Sequence, residues 1–197
     1  MKPVFISILF LVAHFTNAQN IIEWDGIYQL QLSDFQAATT QVGETNVYHI
    51  QMHSGIEFGF NMLAAEFMFT KNFNGKVNCV FNRDASSLLA PDSITAQNLV
   101  NYARYYFDLS ELHARKLRKK LYESKGAFSN SDFFTPIYNE VQKELTERNS
   151  EASHQSDLGA NPGVLAILHS KVLMEIEAYA DFCKTCKPPK KKKPKIN

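Results

Sequence analysis

One long helical period constrains the fold of this chain more than any other feature of the sequence. From about residue 93 to residue 125, apolar side chains recur at the spacing of a single helix side: Leu99, Tyr102, Tyr106, Leu109 and Leu117. Asp92 or Ser93 can cap the start of this helix, and Gly126 can end it. The sequence therefore predicts one long central helix around which the rest of the chain is organised.

Shorter patterns predict the elements around this helix. Apolar and polar residues alternate in three segments, which predicts the strands of a small antiparallel sheet with one buried face: 45–53, 62–70 and 76–82. Helical spacing predicts two more helices, at about 132–148 and 164–182, and the polar stretch 149–162 between them predicts a loop. The predicted fold class is α+β, with a small sheet packed against three main helices.

The second half of the long helix carries a motif of apolar, acidic and basic residues: Phe107, Asp108, Glu111, Leu112, Ala114, Arg115, Lys116, Leu117 and Arg118. This motif resembles a helix of bacterial families described as predicted secreted zinc-dependent proteases, with the pattern L-L-x-H-E-Q-x-H-F-D-I-x-E-L-x-A-R-K-L-R. The resemblance covers roughly residues 32–179. It implies a zincin-like fold in which the long helix bears two metal ligands and a later segment supplies a third.

The metal-binding part of the family pattern is replaced in this chain. Tyr102 and Tyr106 occupy the positions of the two histidines, and Ala103 occupies the position of the glutamate. A phenol with a pKa of about 10 is a poor zinc ligand at neutral pH, and alanine cannot accept a proton. We therefore expect a degenerate member of the family that is catalytically inactive, holds no cofactor, and binds a protein or peptide or acts as a scaffold.

A metallopeptidase with a non-standard metal site is the alternative. His154 lies in Ala152-Ser153-His154-Gln155, where the family has a T-x-H-G segment, so the resemblance makes it a possible remnant ligand. His49 and His53 share one face of a predicted strand and could join it in holding zinc. Metal analysis separates this alternative from the inactive protein.

Three charged positions of the family motif are kept although the ligands are lost. Glu111 and Arg115 are four residues apart and are expected to pair on the helix surface. Asp108 is expected to cap or to pair within the fold. Together with Phe107, these residues argue for the scaffold and not for catalysis.

The two ends of the chain differ from its body. Residues 1–18 have a basic start, a short apolar run and the small residues Thr16-Asn17-Ala18, which predicts a signal peptide and an exported protein, periplasmic or secreted. Residues 19–186 are expected to form a single domain, and the Lys- and Pro-rich tail 187–197 to be disordered.

Charge is distributed unevenly along the sequence. Six of the 21 basic residues lie in the tail, so the body is acidic although the whole chain carries a net charge of +1. The tail either touches an anionic envelope surface weakly or only aids solubility. The basic residues between 115 and 120 are interpreted as a solvated helix end, and no nucleic-acid partner is expected.

The cysteines suit an oxidising compartment. Cys183 and Cys186 can close a small local disulfide, which leaves Cys79 unpaired. Two idle thiols are the other reading, and a redox-active pair is disfavoured because Cys186 is followed closely by Pro188-Pro189.

Overall fold

A computed structural model of the chain describes residues 20–59, 62–126 and 129–189. The predicted signal peptide, 1–18, and residues 190–197 of the predicted tail lie outside these ranges. Among the described residues, no helix has both the length and the apolar character needed to cross a membrane.

The described residues form six strands and four α-helices. The strands are β1 (Ile21–Glu23), β2 (Gln41–Val42), β3 (His49–Gln51), β4 (Ser54–Phe58), β5 (Val77–Asn82) and β6 (Ser87–Ala90). The α-helices are α1 (Ala64–Phe69), α2 (Ser93–Ser124), α3 (Phe134–Ser156) and α4 (Pro162–Ala178). Short 3-10 turns cover Leu32–Asp34, Asn74–Lys76, Ser131–Phe133 and Ala180–Phe182.

The strands form two small sheets. The first has the order β1-β5-β4 and is antiparallel throughout, with Ile22 opposite Phe81 and Ile56 opposite Cys79. The second has the order β2-β6-β3, in which β3 pairs antiparallel and β2 pairs parallel with β6. On β5 the alternate residues Val77, Cys79 and Phe81 are buried, as the sequence period predicts.

Helix α2 runs through the middle of the molecule and packs against both sheets, α3 and α4. Asp92 caps its start, because the Asp92 carboxylate accepts a hydrogen bond of 2.7 Å from the Thr95 amide. Every residue from 107 to 115 is buried, so this part of the helix is enclosed on all sides. A helix enclosed in this way must pair each polar side chain that it carries, since an unpaired buried polar group is costly.

The predicted α+β class, with strands packed against three main helices, is confirmed. The long central helix predicted at 93–125 is also confirmed as Ser93–Ser124. The helix predicted at 164–182 is α4 followed by the 3-10 turn Ala180–Phe182.

Two predicted elements are wrong. The strand predicted at 62–70 is the short helix α1, in which only Phe67 is buried. Its alternation does not mark a buried face, because Leu63 and Phe69 are exposed. The loop predicted at 149–162 is helical as far as Ser156, since α3 continues with the small residues Ala152 and Ser156 packed in the core.

Candidate functional site

The charged residues of the α2 motif form a buried network. Arg118 is 1% exposed, and its Nη1 lies 2.7 Å from Glu111 Oε1. Arg115 Nε lies 2.9 Å from the same Glu111 oxygen, so one carboxylate holds two guanidinium groups. Glu111 and Arg115 pair as expected, but the expectation that they do so on the helix surface is wrong, because they are 3% and 7% exposed. The interpretation of residues 115–120 as a solvated helix end is wrong for Arg115 and Arg118, which other elements cover.

The remaining donors of this network bind backbone carbonyls of other elements. Arg118 Nη2 donates to Val77 O on β5 at 2.7 Å, and Arg118 Nη1 donates to Phe182 O at 3.2 Å. Arg115 Nη1 donates to Ile176 O near the end of α4 at 2.8 Å. The network thus fastens β5, α4 and the C-terminal segment to α2. This gives Arg115 and Arg118 of the motif a structural role.

Phe107 and Asp108 also serve the packing of α2. Phe107 is 3% exposed, and its ring lies 6.2 Å from the Phe81 ring of β5. Asp108 Oδ1 accepts a hydrogen bond of 2.6 Å from Trp24 Nε1, and Asp108 Oδ2 lies 2.6 Å from His169 Nε2 on α4. Asp108 therefore joins the segment just after β1 to α4, across the central helix.

The positions of the family's metal ligands are filled by packed aromatic side chains. Tyr102 is 1% exposed, and its hydroxyl donates to Asn149 Oδ1 on α3 at 2.8 Å. Ala103 is also 1% exposed, and Tyr106 is half-buried. The connection between α3 and α4 covers Tyr102, because a side chain on Gly159 would lie 2.4 Å from Asn98 O and 3.4 Å from Tyr102 Cβ.

These residues do not fit a zinc ion. Burial raises the pKa of the Tyr102 phenol to about 12, so at neutral pH it remains a hydrogen-bond donor to Asn149. Burial also raises the pKa of Tyr106, and Ala103 carries no donor atom. Zinc ligands in proteins are thiolate, imidazole or carboxylate groups, and this triplet provides none of them.

The histidines of the alternative metal site are exposed. His154 lies on α3 and not on a loop, next to Ser153, while His49 and His53 lie on or just after β3. The His53 ring lies 3.0 Å from the Gln51 side-chain amide. Within the ranges that the structure describes, no group of three or more His, Cys, Asp or Glu side chains is placed to hold a metal ion.

His169 and Trp24 are the site residues that the sequence analysis did not single out. The Tyr105 ring lies edge-on to the His169 ring, with 6.0 Å between centroids. His169 also borders a cleft of about 260 Å³ beside Arg104 and Asn101. The sequence signal for His169 is that a histidine stands in an otherwise apolar helical segment. That pattern does not reveal its partner Asp108, which lies sixty-one residues away.

Trp24 forms a wall of a larger cleft, called here the Trp24 cleft. Its volume is about 510 Å³, and it lies between β1, the second half of α2 and the C-terminal segment. Gly26 allows the chain to turn beside the Trp24 ring, because it has a φ of +78° and a Cβ there would lie 3.1 Å from the ring. The cleft is lined by Glu23, Trp24, Asp25, Gly26, Cys79, Glu111, Arg115, Arg118, Glu177, Cys183, Lys184 and Thr185.

The C-terminal wall of the Trp24 cleft is held in place by several contacts. Cys183 and Cys186 are joined by a disulfide, and the thiol of Cys79 is buried and free. Lys184 pairs with Glu23 across the cleft. The Arg115 guanidinium lies 5.4 Å from the Trp24 ring, so the aromatic wall also carries a cation.

We compared the chain with models of protein families, with curated proteins and with solved structures, and none of them matches it. The resemblance to predicted zinc-dependent proteases therefore stays a prediction from the sequence.

Proposed function

We propose that this is an exported, catalytically inactive relative of predicted secreted zinc-dependent proteases, and that it acts by binding. The observation that carries the proposal is the state of Tyr102. At a position where the family has a zinc ligand, this side chain is 1% exposed, and its protonated hydroxyl donates a hydrogen bond to Asn149 Oδ1. The Tyr102 hydroxyl therefore has a structural use, and none of the three side chains at these positions is an ordinary zinc ligand.

The retained motif supports the same proposal. Glu111, Arg115 and Arg118 join α2 to β5, α4 and the C-terminal segment, so an architectural role is sufficient to explain why these three positions match the motif. A protein that retains the fold but has lost the metal-ligating side chains can still recognise a binding partner through its surface.

The Trp24 cleft is the place where we propose that a ligand binds. Trp24 provides an aromatic wall, and Glu177, Asp25 and the pair of Lys184 with Glu23 place charges of both signs around the opening. A peptide segment carries hydrophobic, positive and negative groups, and its backbone offers donors and acceptors. We therefore propose a protein or peptide ligand of mixed charge.

Metal analysis of the purified mature protein tests the loss of catalysis. We expect substoichiometric zinc by mass spectrometry, and no hydrolysis of a quenched fluorescent casein substrate with or without added zinc. Stoichiometric zinc that disappears in a His154→Ala variant would overturn the proposal in favour of the alternative metallopeptidase. Lys143→Ala, at an exposed position on the same helix, serves as the control for handling losses.

Trp24 fluorescence tests the cleft. Because the chain contains one tryptophan, titration with a library of short peptides that lack tryptophan reports on this site alone. We expect some peptides to shift the emission, and Lys184→Glu to weaken them about tenfold while Lys143→Glu leaves them unchanged. If no peptide changes the emission at about millimolar concentration, the cleft is not the binding site.

Export is tested separately. Cell fractionation and N-terminal sequencing of the native protein should give a chain that begins at Gln19, outside the cytoplasm. A cytoplasmic protein that begins at Met1 would contradict this part of the proposal and leave the binding role unaffected.

A further inference from the structure

Arg104 of α2 carries a positive charge that no carboxylate of the described residues pairs with. The other four arginines of the chain each pair with an aspartate or a glutamate. Asp108 lies one turn further along α2, but its two oxygens are engaged by Trp24 and His169. Arg104 is half-buried, so its charge has lost part of its water without gaining a partner of opposite sign.

Uncharged partners fix the orientation of the Arg104 guanidinium. Its Nε donates to Leu30 O at 2.7 Å, and its Nη1 donates to Asn101 Oδ1 at 3.1 Å. A guanidinium has five N–H groups, so three of them remain for a further partner. Asn101 Oδ1 also accepts from Gln97 Nε2 at 3.1 Å, which leaves the Asn101 Nδ2 group as a free donor in the described part of the chain. Donors that are already held in place bind an anion at a lower cost in entropy.

These donors border a cleft that has no acidic residue in its lining. Its volume is about 260 Å³, and we call it the Arg104 cleft. Its polar lining consists of Gln29, Asn101, Arg104 and His169. Pro162, Leu165 and Ala166 of α4 form an apolar side. The cleft therefore combines one fixed cation and neutral donors with a surface for a hydrocarbon group.

We propose that the Arg104 cleft binds the carboxylate group of a small organic acid. One full positive charge matches a monovalent anion, and hydrogen bonds between a guanidinium and a carboxylate are roughly twice as strong as those between neutral groups. Pockets for drug-sized ligands occupy about 300–1,000 Å³, so this smaller cleft suits a carboxylate with a short hydrocarbon part. The inference does not depend on the Trp24 cleft or on the loss of catalysis.

Calorimetric titration of the full mature chain tests the proposal with butyrate as the probe. We expect a dissociation constant of about 1 mM for butyrate. Butyramide has nearly the same shape and no charge, so it should bind at least about tenfold more weakly. The proposal is overturned if butyrate and butyramide bind alike, if butyrate does not bind at about 10 mM, or if inorganic phosphate binds more tightly than butyrate.

A peptide that ends in the cleft would present the same carboxylate as a free acid. Titration with trialanine and with its C-terminal amide distinguishes these two sources. Trialanine that binds more tightly than butyrate, and loses its binding when amidated, supports the proposal with a peptide C-terminus as the ligand. Weaker binding of trialanine than of butyrate supports it with a free acid.

Two variants, each with a matched control, test the position of the site. Arg104→Gln should weaken butyrate about tenfold, whereas Lys143→Gln, at an exposed cation on α3, should leave it unchanged. Because Arg104 also holds Leu30 O, the second variant leaves this bond intact. Ala166→Phe fills the cleft from α4 and should abolish butyrate binding.

The control for Ala166→Phe is Met174→Phe, at an exposed position of α4 that is not in the lining of the cleft. Its affinity for butyrate should equal that of the unchanged protein. Circular dichroism checks that each variant is folded. Equal butyrate binding by Ala166→Phe and Met174→Phe would overturn the proposal even if Arg104→Gln fails to fold.

Discussion

At the scale of single residues, the molecule is notable for charged and titratable side chains inside a helix that is closed on all sides. Arg118, Glu111 and Arg115 are buried and satisfy one another, and His113 is 1% exposed with its Nδ1 donating to Leu109 O at 2.9 Å. Such groups specify how neighbouring elements dock, because a buried donor that loses its partner is costly.

Removal of Arg118 should be severely destabilising. An Arg118→Met variant leaves Glu111 with one partner and leaves the buried Val77 and Phe182 carbonyls without their donor. We expect the free energy of unfolding in urea to fall by about 3–5 kcal/mol. Lys143→Met, which breaks an exposed pair with Glu147, should cost no more than about 0.5 kcal/mol. Equal effects of the two variants would contradict the role given to the buried network.

His113 should make the stability depend on pH. Burial lowers the pKa of His113 to about 4 in the folded protein, with Lys116, Arg148 and Glu144 around it. In the unfolded chain the pKa is about 6.5, so the unfolded state takes up the proton first as the pH falls. The stability contributed by neutral His113 is therefore complete above about pH 6.5 and is lost on the way down to about pH 4.

Urea unfolding at two pH values measures this effect. Between about pH 7.5 and about pH 5, the protein should lose about 2 kcal/mol more stability than a His113→Gln variant, which has no imidazole to titrate. The same pH dependence in both proteins would show that His113 is not the responsible group.

At the scale of elements, the sequence predicts correctly the helices and strands in which the regularly spaced apolar residues are also the buried ones. Helix α2 and strand β5 were predicted because Leu99, Leu109 and Leu117, and Val77, Cys79 and Phe81, are the residues that the core buries. Helix α1 was mistaken for a strand because Leu63 and Phe69 are apolar yet exposed. The end of α3 was mistaken for a loop because its core contacts are made by small residues, which carry little hydropathic signal.

The candidate site was predictable only in part for a related reason. Asp108 and Arg115 could be named from the motif, but their partners Trp24, His169 and Ile176 come from distant parts of the chain. Spacing along one helix gives the pairs within that helix. It does not give contacts that form only after the sheet and α4 have packed against it.

The turn between α3 and α4 makes a testable contact with α2. Gly159 has a φ of +93°, and a Cβ on it would lie 2.4 Å from Asn98 O. Gly43 has a φ of +84° with no atom near the corresponding position. Gly159→Ala should therefore lower the free energy of unfolding by about 2–4 kcal/mol, and Gly43→Ala by only about 1 kcal/mol of backbone strain.

Comparison of these two alanine variants separates the strain of a positive φ from the collision with α2. Thermal unfolding followed by circular dichroism is sufficient, because both variants add the same methyl group to a glycine with a positive φ. If Gly159→Ala costs no more than Gly43→Ala, the turn does not lie as close to Asn98 as described.

At the scale of the whole molecule, α2 is the only long element that contacts both sheets and both other long helices among the described residues. Trp24 joins the first sheet to α2 through Asp108, and Arg118 joins the C-terminal segment to it. Because α2 contacts both sheets and both other long helices, we expect the molecule to unfold as one unit.

Two unfolding curves, recorded with different probes, test whether the molecule unfolds as one unit. Trp24 fluorescence reports on the region of β1, and far-ultraviolet circular dichroism reports mainly on the helices. Both should give one urea midpoint and one slope. A lower midpoint by fluorescence would show that β1 and its surroundings separate from α2 before the helices unfold.

The buried hydrogen bonds of Arg118 also have an order in which they can form during synthesis. Its carbonyl partners lie 41 residues earlier, at Val77, and 64 residues later, at Phe182. On the ribosome, Val77 and Glu111 emerge well before Phe182, so the Arg118 guanidinium cannot complete its buried hydrogen bonds until the C-terminal segment has been made. The last stretch of the described domain to be translated is thus the one that completes the partners of a buried charge.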